Sequence, residues 1–125
     1  MYRTDFLREK NIEFQQIQNS NDLVFAIKCF VEAEKICFVK DELVFIRRRN
    51  KGSVTTKSDK NWRCYFESYE AADEVMAGYP FFERVRKGYE ARKIEALRYF
   101  FKKAGVLNKI PYYLRLKKEI KKMQA

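Results

Sequence analysis

An apolar stretch that directly follows four polar residues constrains this fold more than any other feature. Residues 23–33 are apolar at nine of 11 positions, so the helix predicted there is apolar nearly all round and needs cover on both sides. The polar residues before it favour a helix start at Asn21 or Asp22, because their side chains accept the unpaired backbone N–H groups of a first turn. We therefore expect a buried helix that begins with a carboxylate.

Two short apolar runs follow this helix. Residues 36–39 and 43–46 are separated by three charged residues, a pattern that predicts two short strands joined by a turn. A basic loop, residues 47–53, comes next and contains Gly52, at which the backbone can turn.

Helical patterns occupy most of the remaining chain. A short helix is predicted over residues 2–10, with Asn11 ending it in the left-handed conformation. From about residue 59 to Pro80, aromatic residues recur every three or four positions; this stripe indicates a helix face in the core rather than a ligand platform. A long helix is predicted from Pro80 to Gly105, and a last one after Pro111.

These elements together predict the fold class α+β, mostly helical, with a short two-stranded apolar segment after a buried helix and a basic helical C-terminal tail. The composition, 46% hydrophobic and 16% aromatic, is enough to fill a core. The expected division is residues 1–57, a mixed and charge-neutral portion, and residues 58–125, a basic helical portion.

Residue usage excludes several functional classes. The chain has no histidine, which rules out Ser-His-Asp and Cys-His chemistry and makes a zinc site very unfavourable. Its three cysteines lack a paired spacing and argue against a disulfide framework. No apolar run reaches the roughly 18 to 20 residues of a membrane-spanning helix, and no signal peptide is visible, so we expect a cytoplasmic protein, peripheral at most on the inner face of the plasma membrane.

The charge is concentrated at one end of the chain. Residues 1–81 contain 13 Lys/Arg and 13 Asp/Glu, whereas residues 82–125 contain 14 and 4, so the whole net charge of +10 lies in the last 44 residues. Such a region attracts phosphate groups of lipids, nucleic acids or substrates, although a solvated helix face gives the same pattern. The last helix predicts a membrane or partner contact through five cations: Arg115, Lys117, Lys118, Lys121 and Lys122.

Three motifs in the first half carry a resemblance to a known family. They are Tyr2-Arg3-x-x-Phe6-Leu7-x-x-x-Asn11-Ile12-x-Phe14, Asn21-Asp22-Leu23-x-Phe25, and Phe45-Ile46-Arg47-x-Arg49-x-x-Gly52-Ser53-Val54-Thr55. In order and spacing they resemble the second half of family 2 (GT-A type) glycosyltransferases, bacterial enzymes that build surface polysaccharides and glycolipids from nucleotide sugars. The resemblance covers residues 1 to about 57 well and the tail more loosely.

The resemblance implies roles for four residues. Asp22 corresponds to the general base that takes the proton of the acceptor hydroxyl, although it equally suits a simple helix cap. Arg47 and Arg49, which point the same way on an extended segment, are expected to bind the donor diphosphate together with Ser53. The family pair at the helix start is Glu-Asp, whereas this chain has Asn21 before Asp22.

The nucleotide-binding half of the family is absent from the sequence, as is its Asp-x-Asp motif. The chain therefore resembles the C-terminal portion of a larger enzyme and is expected to be inactive alone. It should hold no cofactor itself, whereas the parent would use Mg²⁺ or Mn²⁺. Its expected partners are a nucleotide sugar and a glycan or lipid-linked acceptor, and no specific nucleic acid.

Two other interpretations stay open. A stand-alone basic helical module, residues 82–125, would bind nucleic acid or an anionic membrane, although it leaves the neutral first half unexplained. Alternatively, a portion that normally packs against a missing half exposes its apolar helix and self-associates, so we expect a homo-oligomer.

Overall fold

The computed structural model describes residues 1–45 and 61–124, and within these ranges the protein is mostly helical. Its five α-helices are α1 (Thr4–Glu9), α2 (Asn21–Glu32), α3 (Trp62–Ala77), α4 (Phe82–Lys103) and α5 (Lys109–Gln124). A single 3₁₀ turn, Val106–Asn108, connects α4 to α5. Helix α2 packs on α3, α3 on α4, and α4 on α5.

Helix ends follow the local chemistry. Asn11 has a φ of 48° and ends the first helical segment in the left-handed conformation, as predicted. Pro80 lies in the turn before α4 rather than in the helix, whereas Pro111 lies in the first turn of α5. Proline is tolerated there because first-turn N–H groups have no partner within the helix.

The main core is formed where α3, α4 and α5 meet. Its buried members are Trp62, Tyr65, Phe66, Leu97, Ala104, Tyr112 and Leu116. Tyr112 is fully buried, and its hydroxyl donates a hydrogen bond of 2.9 Å to the carbonyl oxygen of Leu97. The aromatic stripe of α3 is therefore core, as its spacing predicted. Burial of rings as large as these stabilises the fold by a few kcal/mol for each ring.

A smaller core lies under the N-terminal segment. Ile12, Phe25 and Cys29 are buried together, with Phe6 and Leu7 of α1 packed against them. Burial also raises the pKa of the Cys29 thiol.

The structure corrects the expected strands. Residues 34–45 form no regular secondary structure, and no strand occurs in the described ranges. The side chains of this segment face solvent instead; Phe38 and Phe45 are 93% and 90% exposed. A strand requires a neighbouring edge to satisfy its backbone hydrogen bonds, and the described elements offer only helices to this segment.

Helix α2 is covered on one side only. Val24, Phe25 and Cys29 are buried, but Phe30 is 60% exposed, so the expected cover on both sides is not provided within the described residues.

Helix α4 buries a lysine and exposes a valine. Lys93 is 2% exposed, whereas Val85 is 43% exposed. The buried face is centred on Leu97, one turn after Lys93.

Candidate functional site

Asp22 is the second residue of α2, at the end of the loop that connects α1 to α2. The helix starts at Asn21, as predicted, with Ser20 as the N-cap residue in the left-handed conformation (φ 60°). The side chain of Ser20 accepts no capping hydrogen bond from the first-turn N–H groups, so the expected side-chain cap is not formed by this residue. The carboxylate of Asp22 is exposed and forms no hydrogen bond or ion pair with the rest of the described chain.

The loop before Asp22 is anchored to the main core. The side-chain amide of Asn19 donates a 2.8 Å hydrogen bond to the hydroxyl of Tyr65, which is 3% exposed. The carbonyl oxygen of the same amide accepts a 2.9 Å hydrogen bond from the backbone N–H of Ser20. Tyr65 in turn stacks on Phe100 of α4, with 3.6 Å between ring centroids. These contacts connect the loop before Asp22 to α3 and α4.

Aromatic packing also holds α2 just after Asp22. The ring of Phe25 stacks on Phe14 at 4.2 Å between centroids and meets the edge of Tyr2 at 5.2 Å. The N-terminal motif that carries the family resemblance therefore packs around the first turn of α2, which leaves the acid outside this aromatic group.

The other expected donor-site residues, Arg47, Arg49 and Ser53, lie outside the described residues, as does the boundary expected between residues 57 and 58. The portions on either side of that boundary contact each other directly, because α2 packs on α3 and Gln15 donates a 3.5 Å hydrogen bond to the carbonyl oxygen of Glu67.

The five cations predicted on α5 divide into two groups. Arg115 pairs with Glu70 of α3 at 2.9 Å and lies over the ring of Phe66, and Lys122 pairs with Glu119 at 2.7 Å. The structure leaves three of them exposed and without an ion pair in the described ranges: Lys117, Lys118 and Lys121. Only these three keep their whole charge available for an external anion.

A buried charge cluster joins α3, α4 and α5. The ammonium of Lys93 donates hydrogen bonds to Asp73 at 2.5 Å and to Glu119 at 2.7 Å. Tyr89 donates to the other oxygen of Asp73 at 2.8 Å, and Lys122 donates to the other oxygen of Glu119 at 2.7 Å. Two cations and two carboxylates balance, so the cluster adds no net charge.

Hydrogen bonding decides the protonation states in this cluster. Burial by itself lowers the pKa of Lys93, but the bonds to Asp73 and Glu119 outweigh it and raise that pKa above its ordinary value. Burial likewise favours a protonated Glu119, yet Lys122 and Lys93 hold the pKa of this carboxyl below its usual range. Burial and the Asp73 carboxylate together raise the pKa of the Tyr89 hydroxyl. Lys93 and Glu119 are therefore both ionised at neutral pH.

This cluster was missed by sequence reasoning, although one signal pointed to it. Lys93 lies four residues after Tyr89 and four before Leu97, which places all three on one helix face. The cluster supports packing rather than chemistry, because the ammonium is enclosed by two carboxylates and has no open side for a substrate.

Two open grooves lie away from Asp22. One, of about 740 Å³, runs between α4 and α5, and the other, of about 340 Å³, lies between the ends of α2 and α3. No group of three or more Cys, Asp or Glu in residues 1–45 and 61–124 is arranged to hold a metal ion. None of the helices in these ranges is long and apolar enough to cross a membrane.

Comparisons of the chain with known protein families, with curated proteins and with solved structures found no match.

Proposed function

We propose that this chain forms the C-terminal, acceptor-side portion of a nucleotide-sugar-dependent glycosyltransferase of surface polysaccharide or glycolipid synthesis, and that Asp22 is its general base. This role is supported by two observations: the carboxylate of Asp22 is unpaired among the described residues, and the loop before it is held by a hydrogen bond. Asp22 is exposed and unpaired among the described residues, while Asn19, three residues earlier, is hydrogen-bonded to buried Tyr65. A general base needs both accessibility and a fixed position.

The reaction assigned to this site is an inverting sugar transfer. Asp22 takes the proton of the acceptor hydroxyl while the hydroxyl oxygen forms a bond to the anomeric carbon of the donor. The bond from that carbon to the diphosphate breaks, and its electron pair leaves with the diphosphate. Positioned base assistance of this type accelerates a reaction by about 10²- to 10⁴-fold.

The donor side belongs to other parts of the enzyme under this proposal. Arg47, Arg49 and Ser53 would bind the leaving diphosphate, because a guanidinium group matches two phosphate oxygens at once. Nucleotide binding and the divalent metal would come from the other half of the parent. The exposed face of α2 at Phe30 and the exposed residues 36–45 are apolar surface that such a half would cover.

The decisive experiment is Asp22→Asn in the full-length transferase, with Asp5→Asn as its matched control. Asp5 is also the second residue of a helix and is also exposed, but it lies in α1 and has no assigned role. We expect kcat to fall by about 10²- to 10⁴-fold for Asp22→Asn and to stay within about twofold for Asp5→Asn. An unchanged kcat for Asp22→Asn would leave this residue as a helix-start residue only.

Asn19→Ala tests the positioning of the base separately from its chemistry. Loss of the bond to Tyr65 should lower kcat by about tenfold while the KM for the nucleotide sugar and the pH profile stay unchanged, since the proton acceptor is still present. A loss of kcat that is fully accounted for by a smaller folded fraction, measured by unfolding of the same variant, would instead indicate a purely structural role for Asn19.

A further inference from the structure

The corner between α4 and α5 is the most exposed apolar surface of the helical portion. Val106 and Leu107 in the 3₁₀ turn are 86% and 93% exposed, and Ile110 at the start of α5 is 73% exposed. Leu114, one turn after Ile110, is 55% exposed, and Tyr113 beside it is 52% exposed. Isolated exposed apolar residues are ordinary, but five within nine positions form a continuous patch.

Helix periodicity places this patch on the outside of α5. Tyr112 and Leu116, four residues apart, are buried and define the inner face. Ile110 and Leu114 are offset from them by two residues, which is about 200° around the helix and therefore the opposite face. These two side chains consequently point away from α3 and α4.

Cations continue this outer face and flank the corner. Lys117 and Lys121 lie three and seven residues after Leu114, so they extend the same stripe along α5. Lys102 and Lys103 are exposed at the other side of the corner, at the end of α4. The patch therefore has positive charge on both of its sides.

No acidic residue occurs between Glu95 and Glu119, a range that contains seven Lys/Arg. Glu119 itself is buried and already bonded to Lys93 and Lys122, so it does not offset the surface charge. The lysines beside the corner would bind a negatively charged surface, and the exposed apolar side chains of the corner would bind an apolar one. An anionic lipid bilayer supplies both at one surface, since headgroup charge lies directly above acyl chains.

We propose that the α4–α5 corner docks on an anionic lipid bilayer, with Val106, Leu107, Ile110 and Leu114 inserted at the level of the headgroups and with Lys117, Lys118 and Lys121 on the headgroup phosphates. The corner is an exposed turn between two helices, so its apolar side chains are accessible to a bilayer. The other exposed apolar segment, residues 34–45, differs because it contains three acidic residues and two lysines and thus lacks the cationic surround. This inference stands on the corner alone and does not depend on sugar transfer.

Flotation of the purified protein with vesicles tests the docking. We expect retention on vesicles of phosphatidylcholine mixed with phosphatidylglycerol, weaker retention on phosphatidylcholine alone, and loss of the difference at high salt. The double variant Val106→Ser, Leu107→Ser should bind at least about tenfold more weakly, because two inserted side chains are lost. Its matched control, Phe38→Ser, removes an equally exposed apolar side chain elsewhere and should bind like the unaltered protein.

The cations are tested with two triple variants of equal charge. Lys117→Gln, Lys118→Gln, Lys121→Gln should weaken binding to the phosphatidylglycerol vesicles by about a hundredfold, at about fivefold for each lysine. The control, Arg84→Gln, Arg86→Gln, Lys87→Gln, lowers the net charge equally at the other end of α4 and should have a much smaller effect. Equal losses in both variants would mean that total charge, and not this corner, drives binding.

Insertion is measured directly with Leu107→Trp and vesicles that contain brominated phosphatidylcholine. Bromine should quench the new tryptophan, whereas Phe38→Trp should stay unquenched; the contribution of Trp62, which is 8% exposed, is subtracted with the unaltered protein. No retention at low salt, quenching at residue 38 instead of 107, or charge-dependent binding without quenching at 107 would each overturn the proposal. The last result would indicate adsorption through the lysines alone or an acidic protein partner.

Discussion

Lys93 and Glu119 form a 2.7 Å ion pair whose side chains are only 3% and 4% exposed, and this pair joins α4 to α5 inside a helical domain. The carboxylate of Asp73 on α3 bonds the same ammonium from another side. Taking such a pair out of water is costly, so its hydrogen bonds offset a desolvation penalty rather than add a large surplus. Removal of either Lys93 or Glu119 alone should therefore lower the free energy of unfolding far more than replacement of both by apolar residues.

Lys93→Met is expected to lower the free energy of unfolding by about 3 to 5 kcal/mol, because it leaves Glu119 buried with only Lys122 to compensate its charge. The double variant Lys93→Met, Glu119→Leu should recover most of this loss. Urea unfolding followed by circular dichroism measures both. Arg115→Met, which breaks the more exposed pair with Glu70, serves as the control and should cost about 1 kcal/mol or less. A loss for Lys93→Met no larger than for Arg115→Met would contradict the burial of this cluster.

The stability of the protein should fall at both extremes of pH through the same pair. The folded pKa of Glu119 lies below its ordinary value, so its contribution is present above the unfolded value of about 4.3 and is lost as the pH falls through the folded pKa. The folded pKa of Lys93 is raised, so its contribution is present below about 10.4 and is lost as the pH rises through the folded pKa.

Urea midpoints measured across the acid range test the first of these effects. Glu119→Gln should flatten the acid limb, whereas Glu95→Gln, in an exposed pair with Arg92, should leave it unchanged. An acid limb of equal slope in the Glu119→Gln variant would show that other carboxylates govern acid unfolding.

Tyr112→Phe should destabilise the fold by about 1 kcal/mol, since it removes one buried hydroxyl and its hydrogen bond to Leu97 while the ring stays in place. Tyr113→Phe provides the comparison at the next residue, where the side chain is 52% exposed, and should change stability by less than about 0.5 kcal/mol. Thermal unfolding of both variants measures the difference between these two effects on stability. Equal effects would mean that the Tyr112 hydroxyl is not bonded within the core.

Self-association of this chain should depend on residues 36–45. Phe38 and Phe45 are almost fully exposed, and a second copy offers the nearest apolar surface to cover them in a purified sample. We expect light scattering after size exclusion to show a dimer or larger species, and Phe38→Ser, Phe45→Ser to shift it towards monomer. Val106→Ser, Leu107→Ser is the control with two exposed apolar residues changed elsewhere. A monomer at high protein concentration would exclude this association.

Local patterns in the sequence predicted the helices well because their causes are local. The aromatic spacing from Trp62 onward specifies one buried face of a 3.6-residue period, and Asn11 ends α1 through its tolerance of a positive φ. The strands predicted within residues 36–45 were wrong because strand formation is not decided locally. Apolar residues of high strand propensity form a strand only beside another strand, and that neighbour is not encoded within the segment.

The position of Asp22 at a helix start was readable from the sequence, but the contact that fixes its loop was not. Asn19 and Tyr65 are 46 residues apart, and nothing in either local pattern indicates the other. The pairing of the cations on α5 could not be predicted either. The five cations are equivalent in the sequence pattern, but in the structure Arg115 pairs with Glu70 and Lys122 pairs with Glu119.

The sequence by itself determined where the helices lie, which aromatic face is buried and where the positive charge accumulates, because these depend on neighbours within a few residues. Only the tertiary structure decided that Lys93 is an interior residue, that residues 36–45 stay uncovered, and that Val106 and Leu107 are exposed at the corner between α4 and α5. A charged lysine can be buried in this core only because carboxylates from other helices pair with its ammonium group. That condition is set by the packing of α3, α4 and α5, not by the residues beside it.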